Sequence, residues 1–223
     1  MFFTNIIMPI IENYLIITLF NEEFYLLPQR AIFRPKYQSL ILADTHFGKS
    51  THFQKSGIPV PKSILDSDLE ILTQLINKWK PNEVLILGDM FHSHHNEEVE
   101  IFKDWLSCCV DFKTILIKGN HDILPTEKYT QLGLEIKSEL ETDNFIFIHD
   151  IKKAEKDKFY FKGHIHPGAR VKLGRQRFTF PCFHKTKNSI TLPAFGNFTG
   201  MSVINPLPED QIFVIANEKI IAL

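Results

Sequence analysis

Five short apolar segments of this chain each lead, directly or after one lysine, into a motif with residues of the kind that bind metals. An unbroken apolar run followed by polar residues is typical of a buried parallel strand, and open α/β sheets build their sites at the carboxyl ends of such strands. The most informative case is Gly-Asn-His-Asp at residues 119–122, which follows the apolar run 114–117. The other four strand ends lead into Asp-Thr-His at 44–46, Gly-Asp at 88–89, His-Asp at 149–150 and Gly-His-Ile-His at 163–166. This recurrence favours a chemical site over a chance placement of polar residues.

The first half of the chain alternates strand and helix patterns. Apolar residues repeat at three and four positions between Leu65 and Trp79, which predicts a helix that Ser63 can cap and that ends before Pro81. A second helix is predicted over residues 97–109, after the strand at 83–87. This βαβα order predicts a mostly parallel sheet covered on both faces.

The two ends of the chain are richer in strands. Residues 14–20, 22–27 and 31–33 predict a small antiparallel sheet, and the short β-type runs after residue 134 predict an antiparallel second half. Neither a linker nor an internal repeat separates the halves. We therefore expect residues 1–223 to form a single α/β sandwich domain.

The net charge does not indicate a polyanionic or membrane partner, because the chain has 25 Lys and Arg residues against 26 Asp and Glu residues. The distribution is less even. Residues 30–62 hold six cations and the single acid Asp44, and residues 168–188 hold six cations and no acid. Each stretch is either a solvated face or part of a positive rim around the site, and the sequence leaves both readings open.

The expected compartment is the cytoplasm, with no membrane contact. Three cysteines without paired spacing argue against a disulfide framework, so Cys108, Cys109 and Cys182 are expected to be reduced and mostly buried. Residues 1–15 lack the basic leader of a signal peptide. Nothing reaches the ~20 uninterrupted apolar residues of a membrane span.

The candidate ligands mix imidazole nitrogen with carboxylate and amide oxygen, which suits Mn, Fe, Co or Zn better than Mg or Ca. Seven ligands are too many for one ion. Two divalent ions that share one carboxylate account for all of them, and paired metals suit the cleavage of phosphate esters. The seven are Asp44, His46, Asp89, Asn120, His149, His164 and His166.

The succession D-x-H, G-D, G-N-H-D, a lone H and G-H-x-H resembles the signature of the calcineurin-like metallophosphoesterase superfamily. The resemblance implies an α/β sandwich of mixed sheets flanked by helices, and two metals with manganese expected first. It also implies that His121 binds no metal but faces the phosphate as a charge stabiliser or proton donor, oriented by Asp122. By the same resemblance Asp44, His46 and His166 hold the first metal, Asn120, His149 and His164 hold the second, and Asp89 bridges them.

A narrower resemblance covers most of the chain. Residues 52–61, 88–93 and 192–200 are similar to the bacterial DNA ligase-associated phosphoesterases, which implies a link to DNA repair and its proteins. An arginine is usual in that family where this chain has Gln54. Whether the neighbouring Lys55 replaces its phosphate contact stays open.

The favoured function is a phosphodiesterase acting on nucleic acid or nucleotides. One alternative is a non-catalytic interaction module that keeps the fold, and another is a pyrophosphatase of nucleotide or lipid-linked substrates. The sequence does not fix the substrate, the metals or the oligomeric state. Several histidines also keep two readings, as structural or site-lining groups: His52, His92, His94, His95 and His184. The aromatics of residues 178–183 are read either as core and sheet surface or as a base-stacking platform.

Overall fold

The computed structural model describes residues 13–47, 63–91, 96–108, 112–151, 157–197 and 199–223, without the side chains of 63–66 and 96–98. The strands of these parts form two mixed sheets packed face to face. Predictions for residues 1–12, for 52–61 with Gln54 and Lys55, and for His92, His94, His95 and Cys109 lie outside the described residues.

The first sheet has seven strands in chain order, antiparallel from β1 to β4 and parallel from β4 to β7. Its antiparallel part, predicted as a separate small sheet, is continuous with the parallel part. The strands are β1 (Leu15–Leu19), β2 (Glu22–Leu27), β3 (Ala31–Arg34), β4 (Ser39–Ala43), β5 (Glu83–Leu87), β6 (Lys113–Ile117) and β7 (Glu135–Lys137).

Three α-helices of the described residues accompany this sheet. They are α1 (Ser63–Trp79), α2 (Asn96–Ser107) and α3 (Thr126–Gln131), and a 3-10 helix spans Pro35–Tyr37. Successive β4 residues alternate between two cores: Leu40 and Leu42 pack on the helix side, whereas Ile41 and Ala43 pack against the second sheet. Both faces of the strand are therefore buried, which explains its unbroken apolar sequence. None of the described helices is long and apolar enough to cross a membrane.

The second sheet runs in the order β14-β11-β12-β13-β10-β9-β8, with β15 paired to β12 and to β16. The expectation of a purely antiparallel second half is wrong, because β9, β10 and β13 pair in parallel. The strands are β8 (Glu139–Glu141), β9 (Phe145–Ile148), β10 (Phe159–Lys162), β11 (Pro167–Leu173), β12 (Gln176–Lys185), β13 (Ser189–Thr191), β14 (Ser202–Val203), β15 (Gln211–Ala216) and β16 (Lys219–Ala222).

A buried cation lies between the two sheets. Arg34 pairs with Glu22, and its guanidinium lies 5.2 and 5.4 Å from the ring centroids of Phe145 and Phe147. Although Arg34 belongs to the first basic stretch of the sequence, it is 4% exposed and cannot contribute to a surface rim.

The two described cysteines are free; Cys182 is buried as expected, but Cys108 is exposed.

Candidate metal centre

The predicted ligands meet where parallel strands of both sheets end. Asp44, Asp89 and Asn120 follow the parallel strands β4, β5 and β6, so their loops lie at one edge of the first sheet. His149 and His164 follow the parallel strands β9 and β10 in the same way. Face-to-face packing of the sheets then brings the two edges together.

One group of ligand-type side chains contains Asp44, His46 and His166, whose ligand atoms all lie within 4.8 Å of one another. The two imidazole Nε2 atoms are 3.4 Å apart, and the Nε2 atom of His166 is 3.5 Å from Asp44 Oδ1. Asp44 is fully buried and His46 is buried, so the group opens to solvent on the side of His166.

A second group contains Asp89, His149 and His164. The Nε2 atom of His149 lies 3.2 Å from His164 Nδ1 and 3.5 Å from Asp89 Oδ1. Asn120 joins this group, because its Oδ1 atom is 2.9 Å from the same Nε2 atom. The two groups are adjacent, with His149 Nδ1 3.8 Å from Asp44 Oδ1.

The contacts of the His149 ring fit a cation at its Nε2 atom. Its Nδ1 atom lies 2.9 Å from the Leu87 carbonyl, which can only accept a hydrogen bond, so a neutral ring carries its proton there. The Nε2 lone pair then faces the Asn120 oxygen at 2.9 Å, and a cation bound between these two acceptors would satisfy both. His166 is oriented similarly, with Nδ1 3.1 Å from the carbonyl of Gly200.

Five of the predicted ligands have left-handed backbone conformations. Left-handed φ angles cost roughly 1–2 kcal/mol for residues with a Cβ atom, and strain of this kind clusters at functional sites. The φ angles are 51° at Asp44, 43° at His46, 53° at Asp89, 71° at His164 and 51° at His166. The fold therefore maintains unfavourable backbone conformations in order to direct these side chains toward one another.

Two motif glycines allow the edges of the sheets to interlock. A Cβ atom on Gly88, in the first sheet, would lie 2.2 Å from Nδ1 of His149 in the second. A Cβ atom on Gly163 would lie 2.5 Å from Oδ2 of Asp44. Any larger residue at either position would displace a ligand side chain.

Asp122 is buried and holds the loop backbone. Its carboxylate accepts hydrogen bonds of 2.8 Å from the amides of Asp89, Met90 and Gly119. Burial raises the pKa of Asp122 and the three amides oppose that shift. The described contacts of this carboxylate include none with the His121 ring, so Asp122 acts on the backbone, in contrast to the predicted role of orienting that imidazole.

His121 belongs to neither ligand group among the described residues. Its amide donates a 2.9 Å hydrogen bond to Asp89 Oδ1, and its ring centroid lies 6.1 Å from that of His46. The side chain is exposed. The imidazole of His121 is therefore accessible to solvent beside the first ligand group.

A strap of residues 192–200, of which 198 is outside the described part, follows β13 and contacts residues of the first group. The amide of Phe195 donates to the Ala43 carbonyl at 2.8 Å, just before Asp44, and the Gly200 carbonyl holds His166. The strap is tied to α1 by Asn197, whose side-chain amide donates a 2.6 Å hydrogen bond to the buried carboxylate of Asp68. Arg30 donates to the Gly196 carbonyl at 3.4 Å.

Asp68 was not predicted as a site residue, although the sequence contains a signal for it. Asp68 precedes the buried Leu72 and Leu75 by four and seven positions, so it lies on the apolar face of the helix. A carboxylate there needs partners, and Asn197 is its main one. His184, in contrast, pairs with Asp210 at 2.8 Å and joins neither ligand group.

The anchor of the strap gives a pH-dependent prediction. Burial raises the pKa of Asp68 to about 6 from 3.8, against the opposing effects of Asn197 and Arg30. A carboxyl with a raised pKa stabilises the fold while protonated, so its contribution is complete below pH 3.8 and is lost as pH rises through about 6. Relative to Asp68→Asn, the metal-free wild type should lose about 1 kcal/mol of unfolding free energy between pH 5 and pH 7.

Urea denaturation of both proteins at the two pH values measures this difference. Asp143→Asn, which changes an exposed acid, is the matched control and should show little pH-dependent change. If the difference in unfolding free energy between wild type and Asp68→Asn were the same at both pH values, the raised pKa of Asp68 would be contradicted.

Residues 38–218 match the calcineurin-like phosphoesterase family, and the chain belongs to that family. It is thus a hydrolase of the metallophosphoesterase class, with a dinuclear divalent metal site. The chain is similar to the nuclease MPE from Pseudomonas putida, with 26% identity, a TM-score of 0.77 and coverage of 95% of this chain and 100% of that one. The YfcE phosphoesterase from E. coli aligns at 10% identity and a TM-score of 0.43, over 83% of this chain and 97% of that one. No curated protein matches the chain.

Proposed function

We propose that this protein is a dinuclear metal-dependent phosphodiesterase that cleaves phosphodiester bonds of nucleic acid. The observation that carries the proposal is the pair of adjacent ligand groups around Asp44 and Asp89. Two metals side by side suit an in-line displacement at phosphorus. The similarity to a protein described as a nuclease, over almost the full length of both chains, supports nucleic acid as the substrate.

We assign each ligand by its neighbours. Asp89 is the proposed bridge, because its carboxylate lies 3.5 Å from His149 in the second group and its backbone carbonyl accepts a 3.0 Å hydrogen bond from the amide of His46 in the first. When bound, the two ions would supply Lewis acidity and a nucleophilic hydroxide. The mixed nitrogen and oxygen donors suit manganese, iron, cobalt or zinc, and we propose manganese first because of the family resemblance. Asp44, His46 and His166 would hold the first ion, and Asn120, His149 and His164 the second.

The remaining polar residues would position the substrate and move a proton. His121 is exposed beside the first group, so its imidazole can contact the phosphate or donate a proton to the leaving oxygen. Asp122 would fix the loop on which His121 stands. We also propose that residues 1–223 act as one domain, in the cytoplasm and in DNA repair, where phosphodiester cleavage is required.

Metal-loading combined with hydrolysis tests this function. Metal-free protein is loaded separately with Mn, Fe, Co or Zn, and the number of bound ions per chain is measured. Turnover of each metal form is then measured on four substrates: bis-p-nitrophenyl phosphate, p-nitrophenyl phosphate, pyrophosphate and an oligonucleotide. We expect two ions per chain and faster cleavage of diesters than of the monoester. Asp44→Asn controls for contaminating phosphatases. Failure of every metal form to cleave a diester, or cleavage of pyrophosphate alone, would contradict the proposal.

A further inference from the structure

The hairpin formed by β11 and β12 carries three cations on one face. Lys172 pairs with Arg177 and Arg170 pairs with Thr179, and residues directly opposite each other in an antiparallel pair share a face. All three cations are exposed. This face therefore presents its charges to solvent.

Among the described residues, no acid forms an ion pair with these three cations. Residues 168–188 contain neither Asp nor Glu. In the described parts of the chain, the recorded ion pairs involve other cations, such as Lys113 with Glu135 and Lys158 with Glu141. The hairpin thus differs from the first basic stretch, in which Arg34 is buried against Glu22 and Arg30 binds the strap.

The same face begins beside the metal centre. A Cβ atom on Gly168 would lie 2.9 Å from Thr179 Cγ2 and 3.0 Å from Met201 Cβ, so Met201 lies on the face that carries Arg170. Met201 stands between Gly200, whose carbonyl contacts the His166 ring, and Ser202, whose amide donates to the His166 carbonyl at 3.0 Å. The face is therefore continuous with a proposed metal ligand.

Exposed apolar side chains occupy the part of this face next to the centre. Met201 is 45% exposed, and Val203, which pairs with Gly168, is 39% exposed. An apolar surface followed by cations matches the chemistry of a nucleic-acid strand, in which bases and sugars alternate with phosphates.

We propose that this face, the hairpin track of Arg170, Lys172, Arg177, Met201 and Val203, is a subsite that binds the nucleic-acid strand flanking the scissile bond. The inference rests on the proposed function and names where the substrate lies. At about 3.3 Å per strand residue, Lys172 is about 20 Å along the chain from His166. Only a polymer reaches both, so the track distinguishes polynucleotides from small diesters.

Charge reversal on the track tests the inference in the manganese-loaded enzyme. We expect Arg170→Glu with Lys172→Glu to weaken oligonucleotide binding, measured by fluorescence anisotropy, about 10- to 100-fold. The loss of two phosphate contacts should also reduce the slope of log affinity against log salt by about 1.4. Turnover of bis-p-nitrophenyl phosphate should change less than about twofold, because that diester is too short to reach the track.

Lys187→Glu with Lys219→Glu is the matched control, since both lysines are exposed and Lys187 follows the opposite end of β12 from the hairpin turn. This variant carries the same charge change and should bind the oligonucleotide within about twofold of wild type if contacts, not net charge, decide affinity. Equal losses in the two double variants, or unchanged binding in the track variant, would overturn the inference. If the wild type bound the oligonucleotide without cleaving it, the proposed function would be contradicted. The binding data of the two double variants would still show whether the hairpin track binds nucleic acid.

Discussion

Asp89→Asn is expected to abolish most of the activity, with turnover falling by about 10³-fold or more, because each metal supplies several kcal/mol of transition-state stabilisation. Asp89 is 2% exposed, and its Oδ1 atom lies 3.5 Å from His149 Nε2. Asn retains an oxygen that can accept the 2.9 Å hydrogen bond from the His121 amide. The substitution therefore removes the negative charge while keeping the loop contact.

Metal content measured on the same samples checks the cause. The variant should retain fewer than two ions per chain, whereas Asp143→Asn, with the same charge change at an exposed turn, should retain both ions and full activity. A folded Asp89→Asn protein with two ions per chain and near-normal turnover would show that Asp89 is not the bridge.

Much of the first sheet could be predicted from local pattern. Residues 40–43 of β4, 84–87 of β5 and 115–117 of β6 are all apolar, because each strand faces helices on one side and the second sheet on the other. Such runs predict buried parallel strands, and parallel strands bring their carboxyl ends together. The placement of Asp44 beside His166, 122 positions later in the chain, follows only once the second sheet is known to pack on the first.

The second sheet was predicted less well because strand direction depends on which distant segment becomes the neighbour. β10 is flanked in space by β9 and β13, and both pairs are parallel. The available signal was the uniform apolarity of Phe-Ile-Phe-Ile and Phe-Tyr-Phe, which is typical of parallel strands buried on both faces. Many short β runs with close glycines and prolines favoured the antiparallel reading instead.

Polar networks were the least predictable part. The sequence places Asp122 next to His121, and proximity along the chain favoured a direct contact between their side chains. In the fold, however, the Asp122 carboxylate lies 2.8 Å from the amides of Asp89 and Met90, which come from a different strand end. Hydrogen bonds from a side chain to distant backbone have no signature in local sequence.

His121→Ala is expected to lower the rate by about 10²- to 10⁴-fold, the usual contribution of a positioned proton donor. The imidazole is exposed beside His46, outside both ligand groups in the described residues, so its removal should leave both metals bound. The backbone amide that binds Asp89 is unaffected by the substitution. The loss of rate should therefore arise from chemistry at the phosphate and not from metal release.

The leaving group separates proton donation from charge stabilisation for this variant. Bis-p-nitrophenyl phosphate releases a phenolate that needs no proton, whereas a dinucleotide releases an alkoxide that does. If His121 donates the proton, His121→Ala should lower turnover of the dinucleotide far more than turnover of the activated diester. An equal loss on both substrates with two ions still bound would assign His121 to charge stabilisation, and loss of metal would show that it supports the ligands.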